Sequence, residues 1–189
     1  MPDTFGLQEA TPTWMNYLKA NLGDVYDYVG EGRNGGNNGE YNPVFYKKDR
    51  FTLVEGGTKW LSPTPSQPNS SFPDASLPRI MTYAVLRDNA NGEQIMHVNT
   101  HLGIEGDDMR EKQINVLVAL LKEMPTDIPF IVTGDYNWSN TDTLSRIMET
   151  VGCVNSAEVT AEGENLPTFP GSSQVIDYLY ISSADTGVA

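Results

Sequence analysis

Short apolar runs bounded by turn residues recur along this chain of 189 residues and outnumber its helical patterns. The runs Ile80–Leu86 and Gln94–Thr100 favour strands, and the segment Asp88–Gly92 between them has the composition of a hairpin turn. A helix predicted from Asp107 separates the second run from the next one, Phe130–Val132. Because hairpins and helical crossovers are mixed, the pattern predicts one α/β (α+β) domain with mixed sheets.

Capping and turn residues place the remaining elements. Thr11 and Pro12 are residue types favoured at a helix start, and Gly23 is suited to end that helix. Five prolines between residues 60 and 78 predict a long irregular segment. We expect the apolar face of the first helix to consist of Trp14, Met15, Leu18 and Leu22. The other predicted elements are strands at Val25–Val29, Pro43–Lys47, Phe51–Glu55 and Val175–Ser182 and a helix at Asp142–Val151.

The composition limits the partners that the chain can bind. A formal net charge of −13 gives no overall attraction for phosphate backbones and disfavours a sequence-independent DNA binder. Hydrolysis of phosphoesters remains feasible if a divalent cation supplies positive charge locally. The only cysteine, Cys153, excludes an internal disulfide and a cysteine-based zinc site, and we expect it in the core.

No apolar stretch of the sequence is long enough to span a membrane, and no signal peptide is visible at its start. A cytoplasmic location is therefore the default expectation, and a leader upstream of residue 1 would indicate secretion instead. The sequence implies no protein partner.

The pattern Gly30-x-Gly32-x-x-Gly35 formally matches a dinucleotide-binding fingerprint. That fingerprint requires a helix immediately afterwards, because the helix N-terminus binds the pyrophosphate. Here further glycines and asparagines follow, and then the strand predicted at Pro43–Lys47. We therefore interpret the segment as a polar loop.

A short apolar run leads into the segment Gly134-Asp135-Tyr136-Asn137, and Gly134 is expected to end the strand. Sites in α/β sheets tend to open at the carboxyl ends of strands. There Asp135 can bind a metal ion or accept a proton, and Asn137 can hydrogen-bond a phosphate or a water. An ordinary Asx-turn explains the same two residues, so this pair alone does not decide the function.

Four other polar residues occupy comparable positions at the ends of predicted elements: Glu9, Glu40, His101 and Asp177. Singly, each has an ordinary explanation, since Glu9 is favourable near a helix N-terminus and Glu40 reads as a loop acid. Asp177 is flanked by apolar residues, and a buried carboxylate needs a partner. Together with Asp135, these residues favour one shared site.

The ordered motifs resemble those of a known superfamily. They are Pro2-Asp3 with Gly6-Leu7-Gln8-Glu9, Asn99-Thr100-His101-Leu102 with Arg110-x-x-Gln113, Gly134-Asp135-Tyr136-Asn137, and Thr168-Phe169 with Ile176-Asp177-Tyr178. In this order they resemble the endonuclease/exonuclease/phosphatase superfamily, and Gly39-Glu40-Tyr41, Trp60-Leu61-Ser62 and Leu77-Pro78-Arg79 resemble its small bacterial members. The resemblance implies the deoxyribonuclease I-like fold, a four-layer sandwich of two mixed β-sheets flanked by helices.

The resemblance also implies a Mg²⁺- or Mn²⁺-dependent phosphoesterase, either a phosphodiesterase or a phosphatase. Glu9 would hold the metal, and Asp135 would complete its shell or position the attacking water. Asn137 would bind the scissile phosphate. His101 would donate to a phosphate oxygen, and Glu40 would pair with His101 and raise its pKa.

Arg79 and Arg33 are further candidate ligands of the substrate phosphate, since guanidinium groups match phosphate oxygens. A structural salt bridge explains Arg79 equally well. The acidity of the chain favours a small phosphorylated substrate over nucleic acid. The alternatives are an endonuclease or exonuclease acting on DNA and a non-catalytic metal-binding module of the same fold.

Two parts of the family pattern are missing from this sequence. Members begin with a strand that ends in Asn and finish with Ser-Asp-His, whereas no histidine follows His101 here. An acid placed like Asp177 normally orients that last histidine. We therefore expect residues 1–189 to form a single, incomplete domain with weak or no activity, since a general acid–base group contributes roughly 10²–10⁴-fold.

Overall fold

A computed structural model of the protein describes residues 1–125, 127–160 and 166–182, whose strands form two β-sheets. The smaller sheet has the antiparallel order β1 (Thr4–Gly6), β3 (Val44–Lys47), β2 (Tyr26–Val29). The larger sheet has the order β4 (Phe51–Trp60), β5 (Ile80–Asp88), β6 (Gln94–His101), β7 (Phe130–Asp135), β9 (Asp177–Ser182), β8 (Cys153–Asn155).

The described helices are α1 (Pro12–Leu22), α2 (Asp107–Glu123), α3 (Thr141–Glu149) and α4 (Ser156–Val159). The side chain of Thr11 caps α1 by accepting from the backbone N–H of Trp14, as the sequence predicts. Among these helices, none is long and apolar enough to cross a membrane.

One parallel pairing makes the larger sheet mixed. The helix α2 carries the chain across the sheet, so β6 and β7 run parallel, and every other described pair in this sheet is antiparallel. The hairpin predicted between β5 and β6 is present, with Gly92 at a φ of 79°. The smaller sheet is antiparallel in its described strands, so only the larger sheet is mixed.

Three groups of buried side chains confirm the four-layer sandwich. Along β3, Phe45 points toward Met15 of α1, whereas its neighbours Val44 and Tyr46 point toward the larger sheet, as the period of two requires. Ala84 and Leu86 of β5 complete the layer between the sheets. On the outer face, the larger sheet packs against α2 and α3 through Ile114, Leu117, Val118, Leu121, Leu144, Met148 and the buried Cys153.

Two sequence expectations about this scaffold are wrong in detail. The strand β4 continues past Glu55 to Trp60, because its pairing with β5 runs on across Gly56 and Gly57. Trp14 does not belong to the buried face of α1, since its side chain is 58% exposed and packs edge-on against Tyr17.

An inter-sheet polar cluster of Thr4, Gln8, His97, Asn99 and Thr133 joins the two sheets. Nδ1 of His97 lies 2.8 Å from Oγ1 of Thr4, and Nε2 of the same ring lies 2.9 Å from Oγ1 of Thr133. Thr133 also lies 3.0 Å from Oδ1 of Asn99, which accepts from Nε2 of Gln8 at 2.6 Å. Because buried polar groups need partners, these contacts fix β1 against β6 and β7.

Gly6→Ala tests how closely β1 approaches this cluster. A Cβ at residue 6 would lie 2.4 Å from Cγ of Asn99 and 2.7 Å from Oγ1 of Thr133, so the sheets would have to separate. We expect the free energy of unfolding, measured by urea denaturation, to fall by about 1–3 kcal/mol. Gly57→Ala is the matched control, because a Cβ there meets no atom closer than 3.4 Å. Equal losses in the two variants would contradict the close-contact explanation.

His97 should make the stability of the fold depend on pH. Burial lowers the pKa of His97 from 6.5 to about 4, so the ring stays neutral in the folded protein. In the unfolded chain this group is protonated below about pH 6.5, so its contribution to stability is present above that pH and lost as the pH falls. The loss amounts to about 1.4 kcal/mol per pH unit.

Urea denaturation of the wild-type protein and His97→Gln at about pH 7 and about pH 5 measures this contribution. The variant lacks the titrating ring, so its stability should approach that of the wild type at the lower pH. A difference between the two proteins that stays constant with pH would show that His97 is not responsible.

Candidate active site

The parallel pairing of β6 and β7 brings predicted site residues to one edge of the larger sheet. His101, the last residue of β6, lies opposite Asp135, the last residue of β7. Asp135 in turn lies opposite Asp177, the first residue of β9. These residues therefore form one polar row across three neighbouring strands.

Gly134 lets β6 and β7 come close beside this row. A Cβ at residue 134 would lie 2.6 Å from the carbonyl oxygen of Thr100, so a larger residue would push the strands apart. The strand itself does not end at Gly134, as the sequence suggested, but continues to Asp135. The glycine therefore provides a close approach between strands and not a turn.

The Asx-turn expected after Asp135 is present, and it also builds the site. Oδ1 of Asp135 accepts from the backbone N–H of Asn137 at 2.8 Å, and Asn137 adopts a left-handed φ of 48°. Non-glycine residues adopt this conformation only when their surroundings enforce it, and asparagine tolerates it best. The turn aims the side chain of Asn137 back toward His101.

The contact between Asn137 and His101 defines the protonation pattern of the histidine. Nδ2 of Asn137 lies 3.0 Å from Nε2 of His101 and donates to the carbonyl oxygen of Leu102 at 3.0 Å. Because a carbonyl oxygen can only accept, the amide nitrogen must be on this side. Nε2 of His101 then accepts, and the ring proton of the neutral imidazole is on Nδ1.

Glu9 is held by the inter-sheet polar cluster. Its neighbour Gln8 donates to Asn99, and Nδ2 of Asn99 donates to the carbonyl oxygen of Leu7 at 2.7 Å. Glu9 itself is exposed and has a left-handed φ of 56°. Strained backbone of this kind concentrates at functional sites, where the surrounding contacts fix it.

Three carboxylates meet at this edge of the sheet. The pKa of Asp135 rises from 3.8 to about 6 because its carboxyl is partly buried and because the charges of Asp177 and Glu9 lie close. Repulsion among three acids destabilises the site unless a cation or a proton neutralises them. Glu9 and Asp135, both predicted metal ligands, are thus brought within electrostatic reach of each other.

The donor set fits a hard divalent cation of the Mg²⁺ type. Such an ion needs only one or two protein carboxylates, because waters and substrate oxygens complete its shell. Within the described ranges, no group of three or more His, Cys, Asp or Glu side chains is arranged to enclose a metal ion. Glu9 and Asp135 are the side chains that could hold such an ion at this edge of the sheet.

His101 is neutral, and Glu40 is not its partner. Burial and the nearby charges of Arg79 and Arg33 lower the pKa of His101 from 6.5 to about 3. Glu40 instead forms an ion pair with Arg33, with 2.6 Å between its Oε2 and Nη1 of the arginine. The expectation that Glu40 pairs with His101 and raises its pKa is therefore wrong, because the loop turns Glu40 toward Arg33.

Arg79 is the most unusual group of the site. Its side chain is only 6% exposed, and its Nε is buried without a hydrogen-bond partner. No ion pair to this guanidinium is present among the described residues, so the structural salt bridge considered for it is absent there. Its charge acts on both His101 and Asp135, which places it beside the polar row.

Sequence reasoning missed the residues that hold these arginines in place. The backbone N–H of Leu61 donates to the carbonyl oxygen of Arg79 at 2.8 Å, and Nε1 of Trp60 donates to that of Arg33 at 2.6 Å. The sequence identified Trp60-Leu61-Ser62 as a motif but did not indicate its role, because the residues that it contacts lie far away in sequence.

The loop after His101 is fixed from behind by α2. Oε1 of Gln113 accepts from the backbone N–H of Gly103 at 2.7 Å, and Nη1 of Arg110 lies 3.4 Å from the carbonyl oxygen of the same residue. This explains the Arg-x-x-Gln spacing behind the histidine motif, because both side chains lie on one face of the helix.

The sequence matches the Endonuclease/Exonuclease/phosphatase family over residues 1–188. The chain belongs to this family. No curated protein sequence matches the chain.

Solved structures support the membership of the chain in the endonuclease/exonuclease/phosphatase family. A family protein from Bacteroides thetaiotaomicron is 30% identical with a TM-score of 0.82, and the alignment covers 95% of this chain and 69% of that one. A mannosyl-6-phosphatase from the same bacterium is 30% identical with a TM-score of 0.83, covering 95% and 71%.

A more distant likeness concerns the fold alone. The human Nocturnin catalytic domain with a bound sulfate anion is 19% identical with a TM-score of 0.73, covering 96% of this chain and 69% of that one. Together with the two described sheets and their helices, these similarities confirm the deoxyribonuclease I-like architecture.

Substitutions at Asn137 can separate its backbone strain from its side-chain contacts. Both Asn137→Ala and Asn137→Gly remove the contacts to His101 and Leu102, but only alanine is strained at a φ of 48°. We expect the alanine variant to be less stable than the glycine variant by about 1 kcal/mol in urea denaturation.

The matched control for this comparison is Asn115, an exposed residue inside α2. There the order should reverse, with glycine less stable than alanine by about 1 kcal/mol, because a helix interior disfavours glycine. The same order at both positions would rule out the strained backbone at Asn137.

Proposed function

We propose that this chain is the catalytic unit of a phosphoester hydrolase that depends on Mg²⁺ or Mn²⁺. The observation that carries the proposal is that Asp135 and Asp177 lie opposite each other at one sheet edge, within electrostatic range of Glu9 and of Arg79. The guanidinium of Arg79 is buried and forms no ion pair among the described residues. Acids on one side and a guanidinium on the other suit a cation and a phosphate bound side by side.

Glu9 and Asp135 would hold the cation, which supplies positive charge to a phosphoryl oxygen and to the leaving oxygen. Asp135 is also suited to orient the attacking water and to accept its proton, because its carboxylate lies at the end of β7 and is fixed by the Asx-turn. The Asx-turn holds Oδ1 of Asp135, and Oδ2 lies 3.7 Å from Nε2 of His101, on the side where the proposed reaction takes place.

His101 would act on a phosphate oxygen, and Asn137, whose amide N–H groups face His101 and Leu102, would hold the ring in place for it. The hydrogen bond between them fixes His101 as a neutral ring with its proton on Nδ1, and that N–H is the group able to donate. A neutral donor stabilises charge on a phosphate oxygen without the need to bury an imidazolium. Asn137 loses little entropy on binding because its turn is already formed.

Asp177 would act through charge and position. It begins β9, and its backbone N–H donates to Oγ1 of Thr168 at 3.1 Å, which orders the strand start. Its carboxylate adds to the field that favours a cation next to Asp135.

The substrate we propose is a small phosphorylated molecule. A net charge of −13 repels long polyanions, and a similar bacterial structure carries the name mannosyl-6-phosphatase. A groove of about 340 Å³ lies beside Glu9 and is lined by Leu7, Gln8, Glu9, Ala10, Trp14 and Leu18. It offers apolar surface for the part of the substrate that carries the phosphate.

Glu9→Gln tests the metal dependence. We expect the variant to bind Mg²⁺ at least about tenfold more weakly in isothermal titration calorimetry, since even outer-shell changes cost that much. Glu111→Gln, on the exposed face of α2, is the matched control and should bind like the wild type. Hydrolysis of a phosphoester panel is measured with the enzyme in excess, so that slow turnover is detected.

Hydrolysis that requires Mg²⁺ and is lost in Glu9→Gln supports the proposal, and fast turnover would contradict the expectation of a weakly active domain. Metal binding without hydrolysis of any ester would indicate a metal-binding module instead. If the wild-type chain binds neither Mg²⁺ nor Mn²⁺, the proposal is wrong.

A further inference from the structure

Two arginines converge on the proposed phosphate site although they repel each other. Arg33 lies in the loop after β2, and Arg79 directly precedes β5. The consecutive residues Trp60 and Leu61, where β4 ends, bind the backbones of these two loops. The charges of both guanidinium groups lower the pKa of His101, so both arginines lie near the end of β6.

Only one of these arginines forms an ion pair within the described part of the chain. Arg33 pairs with Glu40 at 2.6 Å, whereas Arg79 is more deeply buried and has no carboxylate partner there. The Nε atoms of both are buried without hydrogen bonds. The carboxylates of Glu105, Glu40 and Asp135 act on Arg79 from a distance, but none forms an ion pair with it in the described chain. A buried guanidinium without a direct partner is costly, so the arrangement is explained best by an anion that binds at Arg79.

The number of phosphate oxygens that the site can bind indicates whether this anion is a monoester or a diester. A phosphate monoester presents three non-bridging oxygens and about two negative charges at neutral pH. A diester presents two such oxygens and about one charge. The cation at Glu9 and Asp135 needs one oxygen, and the His101–Asn137 pair needs a second.

The third non-bridging oxygen of a monoester would then be bound by Arg79. In a diester this position is taken by an ester oxygen and its substituent, which carry no charge and are poor acceptors. The buried guanidinium would then lose water without gaining a charged partner, and such unsatisfied groups are expensive.

We propose that Arg79 makes this site selective for phosphate monoesters over phosphodiesters. The inference rests on the proposed function, because it concerns the ester that the same site accepts. It also assigns Arg79 direct contact with substrate.

The test compares 4-nitrophenyl phosphate with bis(4-nitrophenyl) phosphate, which share one leaving group, under single-turnover conditions with Mg²⁺. The wild-type chain should hydrolyse the monoester faster. Arg79→Met should lower kcat/KM for the monoester by about 100-fold, the loss typical of one transition-state donor. For the diester the loss should stay below about tenfold, the value of an ordinary hydrogen bond. Arg87→Met, at an exposed position of β5, is the control and should leave both rates unchanged.

A binding measurement separates this inference from the proposed function. Inorganic phosphate should raise the melting temperature of the wild-type chain and of Arg87→Met but not of Arg79→Met, and diethyl phosphate should raise none of them. This readout needs no turnover, so it decides the inference even if the chain hydrolyses no ester. Arg79→Lys keeps the charge and should retain part of the shift, which guards against a folding defect in the methionine variant.

Three results would overturn the inference. They are faster hydrolysis of the diester by the wild-type chain, equal loss of both rates in Arg79→Met, and a phosphate shift that survives that substitution. Hydrolysis of diesters alone would leave the proposed phosphoesterase function standing and would refute only the selectivity.

Discussion

The fold and the candidate site both depend on one buried contact between the two sheets. The amide of Asn99 on β6 accepts from Gln8 and donates to the carbonyl oxygen of Leu7, so one side chain fixes the segment that leads to Glu9. Loss of these hydrogen bonds while the groups stay buried would cost about 1–3 kcal/mol for each unpaired group. This requirement holds Glu9 beside the polar row on β6, β7 and β9, and it explains why Gly6 must approach so closely.

The charges of the site are arranged by side. The charges of Glu9 and Asp177 raise the pKa of Asp135, and the charges of Arg33 and Arg79 lower the pKa of His101. Like charges near a partly buried group are unfavourable in both places. A divalent cation on one side and a phosphate on the other would relieve both strains, so the same feature supports the proposed function and the proposed selectivity.

Much of the scaffold could be predicted because it follows from local pattern. The alternation along Val44, Phe45 and Tyr46 and the hairpin at Gly92 are properties of a few neighbouring residues. The sequence-based predictions were wrong where residues distant in sequence determine the structure. Pairing with β5 carries β4 across Gly56 and Gly57, and the loop around Arg33 determines where Glu40 points. No local pattern contains that information.

The sequence by itself determined the type of fold, the family resemblance and most candidate site residues, because these depend on residue types and their order along the chain. Only the tertiary structure decided that Glu40 serves Arg33, that His101 is neutral, and that Arg79 is buried without a carboxylate partner in the described chain. These properties depend on burial and on charges brought together from distant segments. Such interactions come into being only when the sheets pack.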